Sequence, residues 1–120
     1  MEERNAKHVV DRRPWGHYEI LHREPGCQVK RIEIKPQARL SLQKHLKRSE
    51  KWTVVSGSGV ATVDKKEIPV KSGSMLEISK GTVHRMANTG PAPLVFIEVQ
   101  FGEYIEEDDI VRLADDYNRA

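Results

Sequence analysis

The chain has 120 residues, 38% of them apolar and 32% charged, which suits one domain with its own core and argues against disorder. It carries 20 Lys and Arg against 18 Asp and Glu, and a net charge of +2 leaves no footprint for nucleic acid or an anionic membrane. A single cysteine, Cys27, excludes an internal disulfide, and no run has the length of a signal-peptide core or a membrane span, so a cytoplasmic location is expected.

Residues 1–12 read as a polar N-terminal arm and residues 13–120 as the domain. Arg13-Pro14-Trp15-Gly16 predicts a turn with Trp15 anchored on the body. Short strands are then expected at 18–22, 28–35, 40–45, 51–56, 59–63, 68–70, 74–78, 83–88 and 94–101. Turn residues separate them, among them Pro25-Gly26, Gly57, Gly73, Gly81 and Gly90-Pro91. Over 28–35 the alternation places Lys30, Ile32 and Ile34 on one face and Arg31, Glu33 and Lys35 on the other. This spacing predicts an all-β sandwich or barrel. Ile110, Leu113, Ala114 and Tyr117 fall at helical spacing behind the acidic run Glu106 to Asp109, which predicts a short C-terminal helix over 108–117.

Gln43 and His45 stand two apart on one expected strand and so project from the same face. Glu50 follows across a turn and His84 arrives later. Together they form a four-ligand set of a kind that suits a divalent metal ion, zinc first, with manganese, iron, cobalt or nickel also served by such donors. A lone strand histidine is more often a surface or hydrogen-bonded residue, and the residues alone leave both readings open. Lys30 and Glu98 each share a face with inward apolar residues. They are candidates for a proton-transferring base or, equally, for a structural ion pair.

The pieces around this set carry a resemblance. Residues 38–57 are similar to the first cupin motif, with a ligand pair two apart, a glutamate and a glycine-ended turn. Residues 73–88 are similar to the second, with Gly73, Gly81, His84 and Asn88 in register. More closely, the chain resembles the type II phosphomannose isomerase domain. The matching pieces include Arg13-Pro14-Trp15-Gly16, Leu40-Ser41-Leu42-Gln43, Arg48, Glu50, Trp52, His84-Arg85 and Glu107-Asp108-Asp109-Ile110-Val111-Arg112. The family also uses glutamine where Gln43 stands. It usually has further histidines where this chain holds Leu46, Lys47 and Lys51, which predicts altered charge at the mouth of the site.

The resemblance implies a single cupin-type β-barrel (a jelly roll), with Gln43, His45, Glu50 and His84 as metal ligands. It implies a metal-dependent interconversion of mannose 6-phosphate and fructose 6-phosphate, in which Lys30 or Glu98 moves the proton and Arg13, Arg48 and Arg85 bind the phosphate. Arg85 ranks last, because a strand residue next to a ligand points the other way. No glycine-rich nucleotide loop is found, so nucleotide-sugar synthesis is not expected of this chain. The expected partner is a small sugar phosphate, and the expected assembly a homodimer. A second reading, from another class, is a metal-holding cupin that binds a sugar or nucleotide-sugar without turnover.

Overall fold

A computed structural model describes residues 10–118. Among these residues there is no helix. The strands are β1 (Val10–Arg13), β2 (Gly16–Glu24), β3 (Cys27–Ile34), β4 (Leu42–Lys44), β5 (Arg48–Ser56), β6 (Ser58–Val63), β7 (Lys66–Lys71), β8 (Met75–Ile78), β9 (His84–Asn88), β10 (Leu94–Gly102) and β11 (Val111–Ala114). They form two antiparallel sheets, ordered β1-β2-β3-β10-β5-β8 and β11-β4-β9-β6-β7. The all-β jelly-roll expectation is met. No helix among the described residues is long and apolar enough to cross a membrane.

Strand alternation decides what faces the interior. Along β3 every second residue is buried: Gln28, Lys30, Ile32 and Ile34. On β10 Leu94, Phe96, Glu98 and Gln100 stand opposite them, as the Cα partners of Ile34, Ile32, Lys30 and Gln28. β5 flanks β10 on its other side, with Val54 beside Phe96, Trp52 beside Glu98 and Glu50 beside Gln100. The barrel interior therefore runs from apolar to polar along three adjacent strands. Its apolar end, with Ile34, Trp52, Val54, Ala61, Met86, Leu94 and Phe96, is the hydrophobic core. At its polar end the titratable groups Lys30, Glu98 and Glu50, one from each strand, are buried together.

Loops hold this frame at specific backbone groups. The Trp15 carbonyl accepts from Lys35 N at 2.9 Å, which docks the first turn on the barrel. Asn88 Nδ2 donates to the carbonyls of Ile34 and Ala92, and its Oδ1 accepts from Gly90 N, so one buried side chain closes the β9–β10 turn. Gly57 turns β5 into β6 with φ +89°, and a Cβ there would lie 2.5 Å from the Pro93 carbonyl oxygen.

One feature corrects the sequence reading. The helix expected over 108–117 is absent. Val111–Ala114 is a strand instead, with Val111 opposite Lys44 and Arg112 opposite Gln43. Without β11, β4 would be the edge of its sheet, and pairing there satisfies backbone groups that a short helix would leave to itself. The arm expected over 1–12 is part of the sheet where it is described, because residues 10–12 belong to β1 and pair with β2. Residues 1–9 lie outside the described residues.

Candidate active site

The polar end of the barrel opens into a cavity lined by residues from both sheets, among them Arg13, Lys30, Gln43, His45, Arg48, Glu50, His84, Glu98 and Glu107. Gln43 and His84 are Cα partners across β4 and β9, so they share the inward face. His45 follows β4, and Glu50 is the third residue of β5. Glu50 Oε2 lies 3.4 Å from His45 Nε2, and Glu50 Oε1 lies 3.8 Å from His84 Nε2. The ligating atoms of His45, Glu50 and His84 all fall within 4.8 Å of one another, and all three residues are buried.

The backbone sets the tautomer of both histidines. His45 Nδ1 is 2.6 Å from the Asp109 carbonyl oxygen, and His84 Nδ1 is 2.9 Å from that of Thr82. A carbonyl can only accept, so each Nδ1 carries the proton and each Nε2 presents a lone pair to the cavity. Burial, with the Arg48 guanidinium beside it, pushes the His45 imidazolium down to about 4. Burial lowers His84 as well. Both rings are therefore neutral at neutral pH, the state a metal ligand needs. Gln43 donates through Nε2 to Ser41 Oγ at 2.8 Å, which leaves its oxygen as the free acceptor. Two neutral imidazoles, a carboxylate and an amide oxygen fit a divalent cation of the zinc, iron or manganese type.

Around these donors lies a second set of charges. Arg48 Nε donates to Glu50 Oε2 at 2.8 Å, and Trp52 Nε1 donates to Glu50 Oε1 at 3.0 Å. Arg48 Nη2 reaches His45 Nε2 at 3.2 Å and lies 4.0 Å from Glu98 Oε2. Glu98 also accepts from Gln100 Nε2, and Gln28 Nε2 donates in turn to Gln100 Oε1 at 2.9 Å. Burial raises the Glu98 carboxyl, and the neighbouring Glu50 raises it further.

Of the residues singled out from sequence, Gln43, His45, Glu50, His84, Lys30, Glu98, Arg13 and Arg48 meet in this cavity. Arg85 does not. It points to the other face of β9, where its Nε donates to the Leu40 carbonyl at 2.9 Å. Lys30 and Glu98 do face each other in register, but the ion pair of Lys30 is with Glu107, at 2.6 Å. Lys47 and Lys51 do not line the cavity: one stacks over the Tyr104 ring, and the other pairs with Glu77 at 3.4 Å in solvent.

The family model described as mannose-6-phosphate isomerase, C-terminal, matches residues 1–115. The chain belongs to that family. Its domain is a mannose-phosphate isomerase-type cupin. The alginate biosynthesis protein AlgA of Pseudomonas aeruginosa is 49% identical over 108 residues, which are 90% of this chain and 22% of AlgA. The mannose-1-phosphate guanylyltransferase of Escherichia coli is 43% identical over 108 residues, again 90% of this chain and 23% of that protein. The chain thus spans less than a quarter of the length of these curated relatives. Two solved structures share the fold. The capsular polysaccharide assembling protein CapF of Staphylococcus aureus superposes with a TM-score of 0.75 at 23% identity, covering 89% of this chain and 34% of CapF. A predicted oxalate decarboxylase from Thermotoga maritima does so with 0.72 at 24% identity, covering 85% and 99%.

In this isomerase-type domain the acidic stretch before β11 does work that its helical reading hid. The Asp109 carboxylate accepts from Leu46 N at 2.9 Å and Lys47 N at 3.0 Å, while its carbonyl holds His45. Glu107 reaches into the cavity. Both sit in the Glu107-Asp108-Asp109 motif, so the signal was present in the sequence, assigned to the wrong element.

Proposed function

We propose that this domain is a metal-dependent aldose–ketose isomerase acting on a sugar phosphate, with mannose 6-phosphate and fructose 6-phosphate as the pair and zinc as the first candidate metal. The observation that carries the reading is the placement of a buried carboxyl, Glu98, in the same cavity as the His45–Glu50–His84 set and the cations Lys30 and Arg48. The family match and the relatives named for mannose-1-phosphate and alginate chemistry support the substrate class.

Isomerisation moves a proton between C1 and C2 of the sugar, and the C2 proton is hardly acidic unless negative charge on the adjacent oxygen is stabilised. His45, Glu50, His84 and Gln43 would hold the metal, which when bound supplies Lewis-acid stabilisation of that charge. Glu98 is the proton carrier. Its raised affinity for a proton brings it toward the working pH, where a general base is most effective. Gln100 fixes one of its oxygens, and Lys30 and then Arg48 limit how far the shift can go. Lys30 is engaged by Glu107 and serves better as a cation for the substrate's phosphate than as the base. Arg13, at the mouth and paired with Asp11 at 2.9 Å, and Arg48, deeper in, also line the cavity.

The decisive experiment is solvent exchange. With mannose 6-phosphate in deuterated water and protein loaded with zinc, manganese, cobalt, nickel or iron, deuterium should enter C2 of the sugar, read by NMR. A binding module without turnover would show saturable sugar binding and no exchange with any of these metals.

A further inference from the structure

The loop 103–110 between β10 and β11 is tied down almost everywhere. Arg23 Nη2 donates to the Ile105 carbonyl and pairs with Glu106 at 2.6 Å. Tyr104 donates to Asp108, and Asp109 is held by two backbone N–H groups. Glu107 is the exception. Its carboxylate hangs on one ion pair, with Lys30 Nζ, and its side chain is 50% exposed where that of Lys30 is 5% exposed. The Lys30 ammonium lies 4.0 Å from the centre of the Tyr18 ring. A buried ammonium left without an anion would be costly.

The same place is built for an anion larger than a carboxylate. Arg13, Lys30 and Arg48 line one cavity with Glu107. Arg48 is 4% exposed, and its buried Nη1 has no hydrogen-bond partner among the described residues. That orphan donor is an unspent contact pointing to a ligand. Burial works against the Glu107 charge, yet the paired Lys30, helped by the more distant Arg48 and Arg13, holds its carboxyl below the usual range.

We propose that Glu107 is a displaceable internal anion: its carboxylate occupies the phosphate subsite formed by Lys30, Arg48 and Arg13, and a phosphorylated ligand binds by rotating it out to solvent. The proposal rests on the sugar-phosphate reading of the cavity and adds the device that governs entry. Because the backbone on both sides of Glu107 is anchored, the change is one of side-chain rotamer, without loop opening. In the unliganded domain Glu107 neutralises Lys30. In the liganded domain the phosphate takes over that role and also satisfies Arg48 Nη1. The apparent affinity for phosphate is then reduced by the fraction of time that Glu107 occupies the subsite. An occupancy of about nine-tenths weakens it about tenfold.

Calorimetric titration of the whole chain with inorganic phosphate tests this. E107Q keeps shape and removes charge, and should bind phosphate about tenfold more tightly than the unaltered chain. E107A, which has no side-chain amide to offer Lys30, should do the same. Affinity for unphosphorylated mannose should not move, and K30M should weaken phosphate binding in either background. Thermal melts confirm that each variant is folded. If Glu107 merely props up Lys30, both Glu107 variants will bind phosphate as weakly as the unaltered chain or more weakly, and the proposal is overturned. Neither readout needs turnover. Tightened phosphate binding in a protein that exchanges no deuterium would keep this device and remove the isomerase reading.

Discussion

Each histidine of the site spends one nitrogen on a backbone carbonyl, and that single bond decides the chemistry of the other. With Nδ1 protonated against Asp109 or Thr82, Nε2 is left as a ligand in a place where burial opposes the imidazolium. Removing a ligand should therefore cost more than the roughly 10–100-fold in metal affinity that loss of an outer partner costs. H84A should lose stoichiometric zinc, measured by elemental analysis after dialysis, and retention of full metal content would take His84 out of the site. Under the proposed function Glu98 has a different role and a different signature. E98Q should keep its metal and lower kcat by about a hundred-fold or more, the usual scale for loss of a general base. Equal loss of metal and activity would reassign Glu98 to holding the site together.

Among the elements, the stretch before β11 couples the sheet edge to the candidate metal ligands. Asp109 pins the turn between β4 and β5 through two N–H groups and orients His45 through its carbonyl. D109A leaves every ligand in place, yet it should weaken zinc binding by roughly 10–100-fold, as outer partners do. Competition with a chromophoric chelator would show it. β11 offers a test of the strand against the helix that the sequence suggested. In a helix packed by Ile110, Leu113 and Tyr117, Leu113 would be core, and its truncation would cost about 2–5 kcal/mol. In the strand, Leu113 is 52% exposed, so L113A should change stability by no more than about 0.5 kcal/mol in urea unfolding.

For the molecule as a whole, the buried titratable groups make stability depend on pH. His45 is pushed down to about 4 in the folded chain, while an unfolded histidine titrates near its ordinary value. Between those values the unfolded state binds the proton and the folded state does not, so stability falls as pH falls through this window. His84 adds to the same trend. Glu98 acts with the opposite sign: its raised proton affinity costs stability as pH rises above the carboxylate range. Glu107 and Asp109, held low by Lys30 and by the Leu46 and Lys47 N–H groups against their burial, lose their contribution only below that range. Metal-free protein should thus be less stable at pH 5 than at pH 7 by on the order of 2 kcal/mol, from chemical denaturation at each pH. In E98Q, where the opposing carboxyl is gone, a flat profile would mean that the histidines are solvated. Zinc should steepen the dependence, because protons and metal compete for the same nitrogens.

The period of two in residues 28–35 and 94–101 was enough to place Lys30 and Glu98 indoors beside Ile32 and Phe96, since alternation alone assigns a strand residue its face. The spacing of Gln43 and His45 left their role open; the resemblance of the glycine-framed stretches around Gln43, His45, Glu50 and His84 to the cupin motifs is what named them, and all four line the cavity. Pairing was another matter. Whether Lys30 would bond Glu98 or Glu107 depends on a loop distant in sequence, and the exposed positions of Lys47 and Lys51 depend on where Tyr104 and Glu77 arrive. Ile110, Leu113, Ala114 and Tyr117 have helical spacing, yet they lie where β4 needs a neighbour. An unsatisfied sheet edge outweighs the weak intrinsic preference of a ten-residue segment. Local chemistry in the sequence determined which residues face inward and what they can ligate; long-range closure of the barrel decided which charges neutralise one another, because ion pairing is set by distances that only the tertiary structure defines.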